Sequence, residues 1–124
     1  MIKINEIAFI GYPVTDVKRA RDFYENVLQL VPAKLVQELE GMPGKCWIEY
    51  EIGNVALAIS NAWEPSGRSG PSVAFEVQNL AESVAHLKEA KVTFIEENID
   101  MPACSSALIA DPDGNAIFIH KRKH

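Results

Sequence analysis

Ile7-Ala8-Phe9-Ile10-Gly11-Tyr12-Pro13-Val14-Thr15-Asp16-Val17 and Gly70-Pro71-Ser72-Val73-Ala74-Phe75-Glu76-Val77-Gln78-Asn79-Leu80 are two copies of one pattern, set 63 residues apart from Phe9 to Ser72. Ile10, Tyr12 and Val14 fall on Val73, Phe75 and Val77, and Asp16-Val17 falls on Asn79-Leu80. Each copy reads as a strand, a helix cap and a helix. One alternate set in each strand is bulky and apolar, as a face packed on a helix requires. The other set is Phe9, Gly11 and Pro13 in the first copy and Ser72, Ala74 and Glu76 in the second. That face is small or polar in most positions, so it is the one expected to look into a cavity.

Working outward, Val17, Ala20, Phe23, Tyr24, Val27 and Leu28 recur at helical spacing behind the Thr15-Asp16 cap. They predict an amphipathic helix ending near Leu30, with Pro32 as its stop. Strands are expected at Ala33–Glu38, Cys46–Ile52 and Val55–Ser60, with a turn over Gly41–Gly44 and a tight hairpin at Gly53-Asn54. The second half repeats this plan. It has a helix over about Leu80–Ala90 and strands at about Val92–Glu97, Ser105–Ala110 and Ala116–Lys121, and Ile99–Cys104 reads as a loop. Asp111-Pro112-Asp113-Gly114 has the residues of a type I turn, which favours a structural role for both aspartates. The chain is therefore expected to be a single domain over 1–124, with one module at about 4–62, a Gly/Pro/Ser-rich linker at about 63–71 and a second module at about 72–122.

A net charge of −5 opposes binding to nucleic acid, and the only basic cluster is Lys121-Arg122-Lys123, read as a solvated tail. No run of 18 apolar residues suggests a membrane span. The N-terminus reads as passing straight into a strand with no signal peptide, and from this a cytoplasmic location is expected. Cys46 and Cys104 are too few and too far apart for a disulfide framework or a zinc knuckle, so free thiols are expected. Phosphate-binding loops, dinucleotide fingerprints, a nucleophile elbow and Cys-x-x-Cys are all missing.

The two modules, the opening Val14-Thr15-Asp16-Val17-Lys18-Arg19-Ala20-Arg21-Asp22-Phe23-Tyr24-Glu25-Asn26-Val27-Leu28 and the Asp111-Pro112-Asp113-Gly114-Asn115 turn before the last strand resemble the vicinal oxygen chelate superfamily. Glyoxalase I, bleomycin and fosfomycin resistance proteins and extradiol dioxygenases belong to it. The resemblance implies an α+β fold of two tandem βαβββ modules whose sheets pair into a half-open, barrel-like cavity. It also implies a divalent metal in that cavity, acting as a Lewis acid on ligands from the first and last strands of the modules. Carried over residue by residue, those ligand positions fall on Phe9, Ser72, Phe118 and either Ala56 or Ala58. Phenyl and methyl groups with one hydroxyl cannot hold a dication. No cofactor is therefore expected, and a metal only through a relocated site.

Such a site would draw on His120, which shares a face with Ala116 and Phe118, and on Glu49, Glu51 and Glu76. A carboxylate beside His120 would make a general acid/base pair, with His120 and Glu49 as the candidate catalytic residues. Phe9, Trp47, Glu49, Ser72, Glu76, Phe118 and His120 are the expected cavity lining, and Trp47 and Trp63 are candidate aromatic walls for a flat ligand. His86 and His124 read as surface residues. Three functions remain open. One is a metal-free binding protein for a small aromatic or cationic molecule. Another is a lyase, isomerase or oxygenase-type enzyme built around His120, and the last is a non-catalytic association module. The resemblance also implies a homodimer, whose cavities are completed across chains.

Overall fold

The computed structural model describes residues 2–123, and for 33–36 the backbone alone. His124 lies outside the described residues. The chain forms two compact units that divide between Glu64 and Pro65. The first contains strands β1 (Phe9–Pro13), β2 (Pro32–Glu38), β3 (Cys46–Ile52) and β4 (Val55–Ser60), with helix α1 (Val17–Arg21) after β1. The second contains β5 (Val73–Glu76), helix α2 (Leu80–Glu89), β6 (Thr93–Asp100), β7 (Cys104–Ala110) and β8 (Ala116–Arg122). Each unit is thus a βαβββ module with a four-stranded sheet, ordered β1-β4-β3-β2 in one and β5-β8-β7-β6 in the other. Among the described residues no helix is long and apolar enough to cross a membrane.

In both sheets the first strand pairs in parallel with the last, which forces a helical crossover. The two crossovers begin alike. Asp16 Oδ1 accepts the Arg19 backbone N–H at 3.0 Å, and Asn79 Oδ1 accepts that of Glu82 at 3.0 Å. In the first unit the crossover buries Ala20, Phe23 and Tyr24, while Tyr12, Ile48, Tyr50, Leu57 and Ile59 form the buried face of the sheet. Tyr24 stacks on Tyr50 with centroids 6.1 Å apart. In the second, Leu87 of α2 is buried, as are Ala107 and Ile109 of β7 and Ile117 and Ile119 of β8.

The structure corrects the sequence reading at four places. The first helix is not α-helical up to Leu30. It widens into a π-helical turn over Asp22–Val27, where Leu28 N–H bonds to Phe23 O at 2.9 Å, and it stops as Gln29 turns left-handed at φ 62°. Residues 2–8 precede the first strand rather than forming it, and Ile2 and Ile4 are each 83% exposed. Pro32 does more than stop a helix, since it opens β2. Ile99 and Asp100 belong to β6, not to a loop, and pair with Ser106 and Ser105. The polar run Glu96-Glu97-Asn98 had masked that strand's alternation.

Beneath the first sheet, Tyr50 donates its hydroxyl to Glu25 Oε2 at 2.8 Å, and the same oxygen accepts Arg21 Nε at 2.7 Å. Hydrogen bonding from Arg21 holds the Glu25 carboxyl below its usual range, while burial pushes the Tyr50 phenol up. Because the folded value of Glu25 is depressed, its contribution to stability is complete above the ordinary carboxylate range and is lost as pH falls through the lowered value. Urea denaturation should therefore show wild type more stable than Glu25→Gln at neutral pH, with the gap closing in acid. A gap independent of pH would contradict this account.

Candidate functional site

The crossovers cover one face of each sheet, so candidate chemistry lies on the other. In the first unit that face is set by register. Phe9, Gly11 and Pro13 of β1 stand beside Ala56, Ala58 and Ser60 of β4, which in turn face Glu51, Glu49 and Trp47 of β3. Small residues on the central strand leave a floor flanked by larger side chains. Phe9 meets the Trp47 ring edge-on, with centroids 5.0 Å apart and planes at 90°. Trp63 completes the wall, 6.3 Å from Trp47.

Gly11 explains how Trp63 reaches this position. A Cβ on Gly11 would come within 3.2 Å of both Cζ2 and Cη2 of the Trp63 ring, tighter than side chains normally pack. The indole therefore lies across the glycine's bare backbone. The turn out of β4 holds it there. Ser60 donates to Cys46 O at 2.7 Å, and Asn61 Oδ1 accepts the Cys46 N–H at 2.8 Å. Phe9 and Trp63 remain 47% and 42% exposed, so the rings present open π surface rather than core.

A carboxylate stands beside the rings. Glu49 Oε2 accepts the Trp47 indole N–H at 2.8 Å, which fixes both side chains on the sheet. Aromatic faces next to an anion can hold a flat or cationic organic molecule.

The second unit builds a different group. Glu76 and His120 are register partners on the parallel strands β5 and β8, and Glu76 Oε1 lies 2.6 Å from His120 Nδ1. The other oxygen, Oε2, accepts the Arg122 backbone N–H at 2.8 Å. That backbone bond first, and His120 second, hold the Glu76 carboxyl below its usual range. Phe118 shares the face and pairs with Ala74 and Leu108, whereas Ser72 is exposed just ahead of β5. The carboxylate that engages His120 is thus Glu76, while Glu49 is committed to Trp47.

The metal positions implied by the resemblance do not suit a metal. Phe9 pairs with Ala56 in one sheet and Phe118 with Ala74 in the other, and neither pair offers a donor atom. Among the described residues no three His, Cys, Asp or Glu side chains come together as a metal-binding group. The Asp111 turn is structural. Its Oδ1 accepts the backbone N–H groups of Asp113 and Asn115, each at 2.9 Å. Cys46 and Cys104 are free thiols.

Comparison with known proteins agrees with this architecture. The sequence profile of the Glyoxalase/Bleomycin resistance protein/Dioxygenase superfamily matches residues 3–119. The chain belongs to this superfamily. Among solved structures it is similar to TnmS3, an antibiotic binding protein from Streptomyces sp. CB03234, with a TM-score of 0.81 and 20% identity over 99% of this chain and 100% of that one. It is also similar to a putative glyoxalase family protein from Bacillus anthracis, with a TM-score of 0.76 and 22% identity over 99% of both chains. A superfamily member from Sphaerobacter thermophilus gives 0.74 and 21%, covering 96% of this chain and 98% of the other. Comparison with curated proteins gives no match. At these identities the structural likeness speaks for the fold, and the superfamily hosts several chemistries on it.

Sequence reasoning placed Trp63 in the linker as well as among the candidate walls, and it passed over Gly11 as a site residue. The available signal was a glycine within a strand, which marks a close approach by another group. Gly11→Val should dislodge the Trp63 indole and shift tryptophan emission to the red. The same substitution in a Trp63→Phe background should leave emission nearly unchanged. An unshifted spectrum in Gly11→Val would refute this packing.

Proposed function

We propose that this superfamily member is a metal-free binding protein for a small planar organic molecule, preferably cationic, held on the open face of the first sheet. The observation that carries the reading is the wall of Phe9, Trp47 and Trp63 with Glu49 bonded to the middle ring. Indole and phenyl faces attract a flat cation through their quadrupoles, and a neighbouring carboxylate adds charge complementarity. Fixing Glu49 through the Trp47 N–H lowers the ordering cost of binding. The apolar character of Phe9, Phe118 and either Ala56 or Ala58, where the superfamily resemblance implies metal ligands, favours binding over metal-assisted catalysis. The likeness to TnmS3, described as an antibiotic binding protein, supports the same reading. Two free cysteines suit a reducing compartment, and we place its action in the cytoplasm.

Ethidium, a planar aromatic cation, is a suitable probe in a fluorescence titration. Wild type should bind it with quenching of tryptophan emission. Trp47→Ala should weaken binding by about tenfold or more, on the scale of one lost stacking or cation–π contact. Glu49→Gln should weaken it less and reduce its salt dependence. Equal affinity in wild type and Trp47→Ala would remove the aromatic wall from the account.

A further inference from the structure

The second unit carries a polar arrangement that the aromatic wall does not use. His120 Nδ1 is engaged by Glu76, whose own second oxygen is anchored by the Arg122 backbone N–H. Ionised Glu76 is an acceptor only, so when the imidazole is neutral the proton between them sits on Nδ1. That tautomer leaves Nε2 as a bare acceptor, and among the described residues Nε2 has no hydrogen-bond partner. Across the sheet from His120 stands Ser106, its antiparallel register partner on β7. Ser106 is only 4% exposed, and its hydroxyl makes no hydrogen bond among the described residues. Phe118, two residues before His120 on the same face, supplies an aromatic surface beside these groups, with Leu108 opposite it.

We propose that His120, Glu76 and Ser106 form a proton-accepting site for the acidic hydroxyl of a phenol or enol. Nε2 of His120 takes the hydroxyl's hydrogen bond, Ser106 bonds the same oxygen, and the ring or alkene lies along Phe118. Glu76 is the positioning residue, because it fixes the imidazole's tautomer and orientation without touching the ligand. An anionic ligand is disfavoured by the Glu76 charge next to the imidazole and by the net charge of −5. A neutral O–H donor meets no such penalty, and an analogue that lacks the hydroxyl leaves Nε2 without that bond. The site uses residues of the second unit alone and does not depend on the reading of the aromatic wall.

The test compares 4-methylphenol with 4-methylanisole, which differs by methylation of the hydroxyl, in equilibrium dialysis at about pH 8, below the phenol's ionisation and above the ordinary imidazole range. Wild type should favour the phenol by about tenfold, the scale of one hydrogen bond. His120→Ala should abolish the preference, and Glu76→Gln should reduce it. Trp47→Ala should keep it, which separates this site from the aromatic wall. Circular dichroism checks that the variants fold. Should His120→Ala fail to do so, long-range nitrogen–proton correlation spectra of wild type report the tautomer directly, with Nδ1 protonated as the expected result. The proposal is overturned by equal binding of the two probes, by no binding of either, by a preference that survives in His120→Ala or disappears in Trp47→Ala, or by an Nε2-protonated imidazole.

Discussion

Parallel pairing of the first strand with the last, β1 with β4 and β5 with β8, is the constraint on which the rest of each unit depends. Strands paired in this way cannot be joined by a tight turn, so a helical segment must cross over, and it covers one face of its own sheet. Tyr12, Ile48, Tyr50, Leu57 and Ile59 are the price of that coverage in the first unit, and Ala107, Ile109, Ile117 and Ile119 in the second. The opposite faces carry no crossover, although Ala58, Ser60 and Ser106 on them are buried. There the two modules diverge, because side chains no longer have to satisfy a helix.

Divergence on that open face has produced two kinds of chemistry from one backbone plan. In the first unit, small residues on β4 and the bare backbone of Gly11 admit large rings, and the Trp47–Glu49 bond ties an anion to them. In the second, the corresponding register brings an imidazole against a carboxylate, with a serine hydroxyl on the next strand. Among the described residues, neither face brings three His, Cys, Asp or Glu side chains together. Superfamily membership and side-chain chemistry therefore carry different information: the first concerns the backbone and the second what it can hold.

The repeat made the fold legible in the sequence. β3 and β4 begin and end where their alternation predicted, and both helix caps fall on the residues that the repeat aligned. Such features follow from local periodicity and capping, which a single chain displays directly. The π-helical turn depends on which carbonyl the Leu28 amide selects, and no residue type announces it. The end of β6 was hidden because its partner strand, not its own pattern, holds Ile99 and Asp100 in the sheet. At the candidate site, the shared faces of Trp47 with Glu49 and of Phe118 with His120 could be read from period two. That Glu76 rather than Glu49 engages His120 required the pairing of β5 with β8, a long-range contact between positions 44 residues apart. Trp63 was legible as a candidate wall, but its place over Gly11 was not, since the turn after β4 sets it.

The central claim is that the open faces of this chain bind organic molecules and that apolar side chains have taken the place of metal ligands. Its most direct test is the metal content of untagged protein by inductively coupled plasma mass spectrometry, after incubation with nickel, zinc, manganese and iron and then desalting. The account expects far less than one metal per chain for every ion. Near-stoichiometric retention of any of them would contradict it and would mean that side chains outside the positions identified here assemble a metal centre.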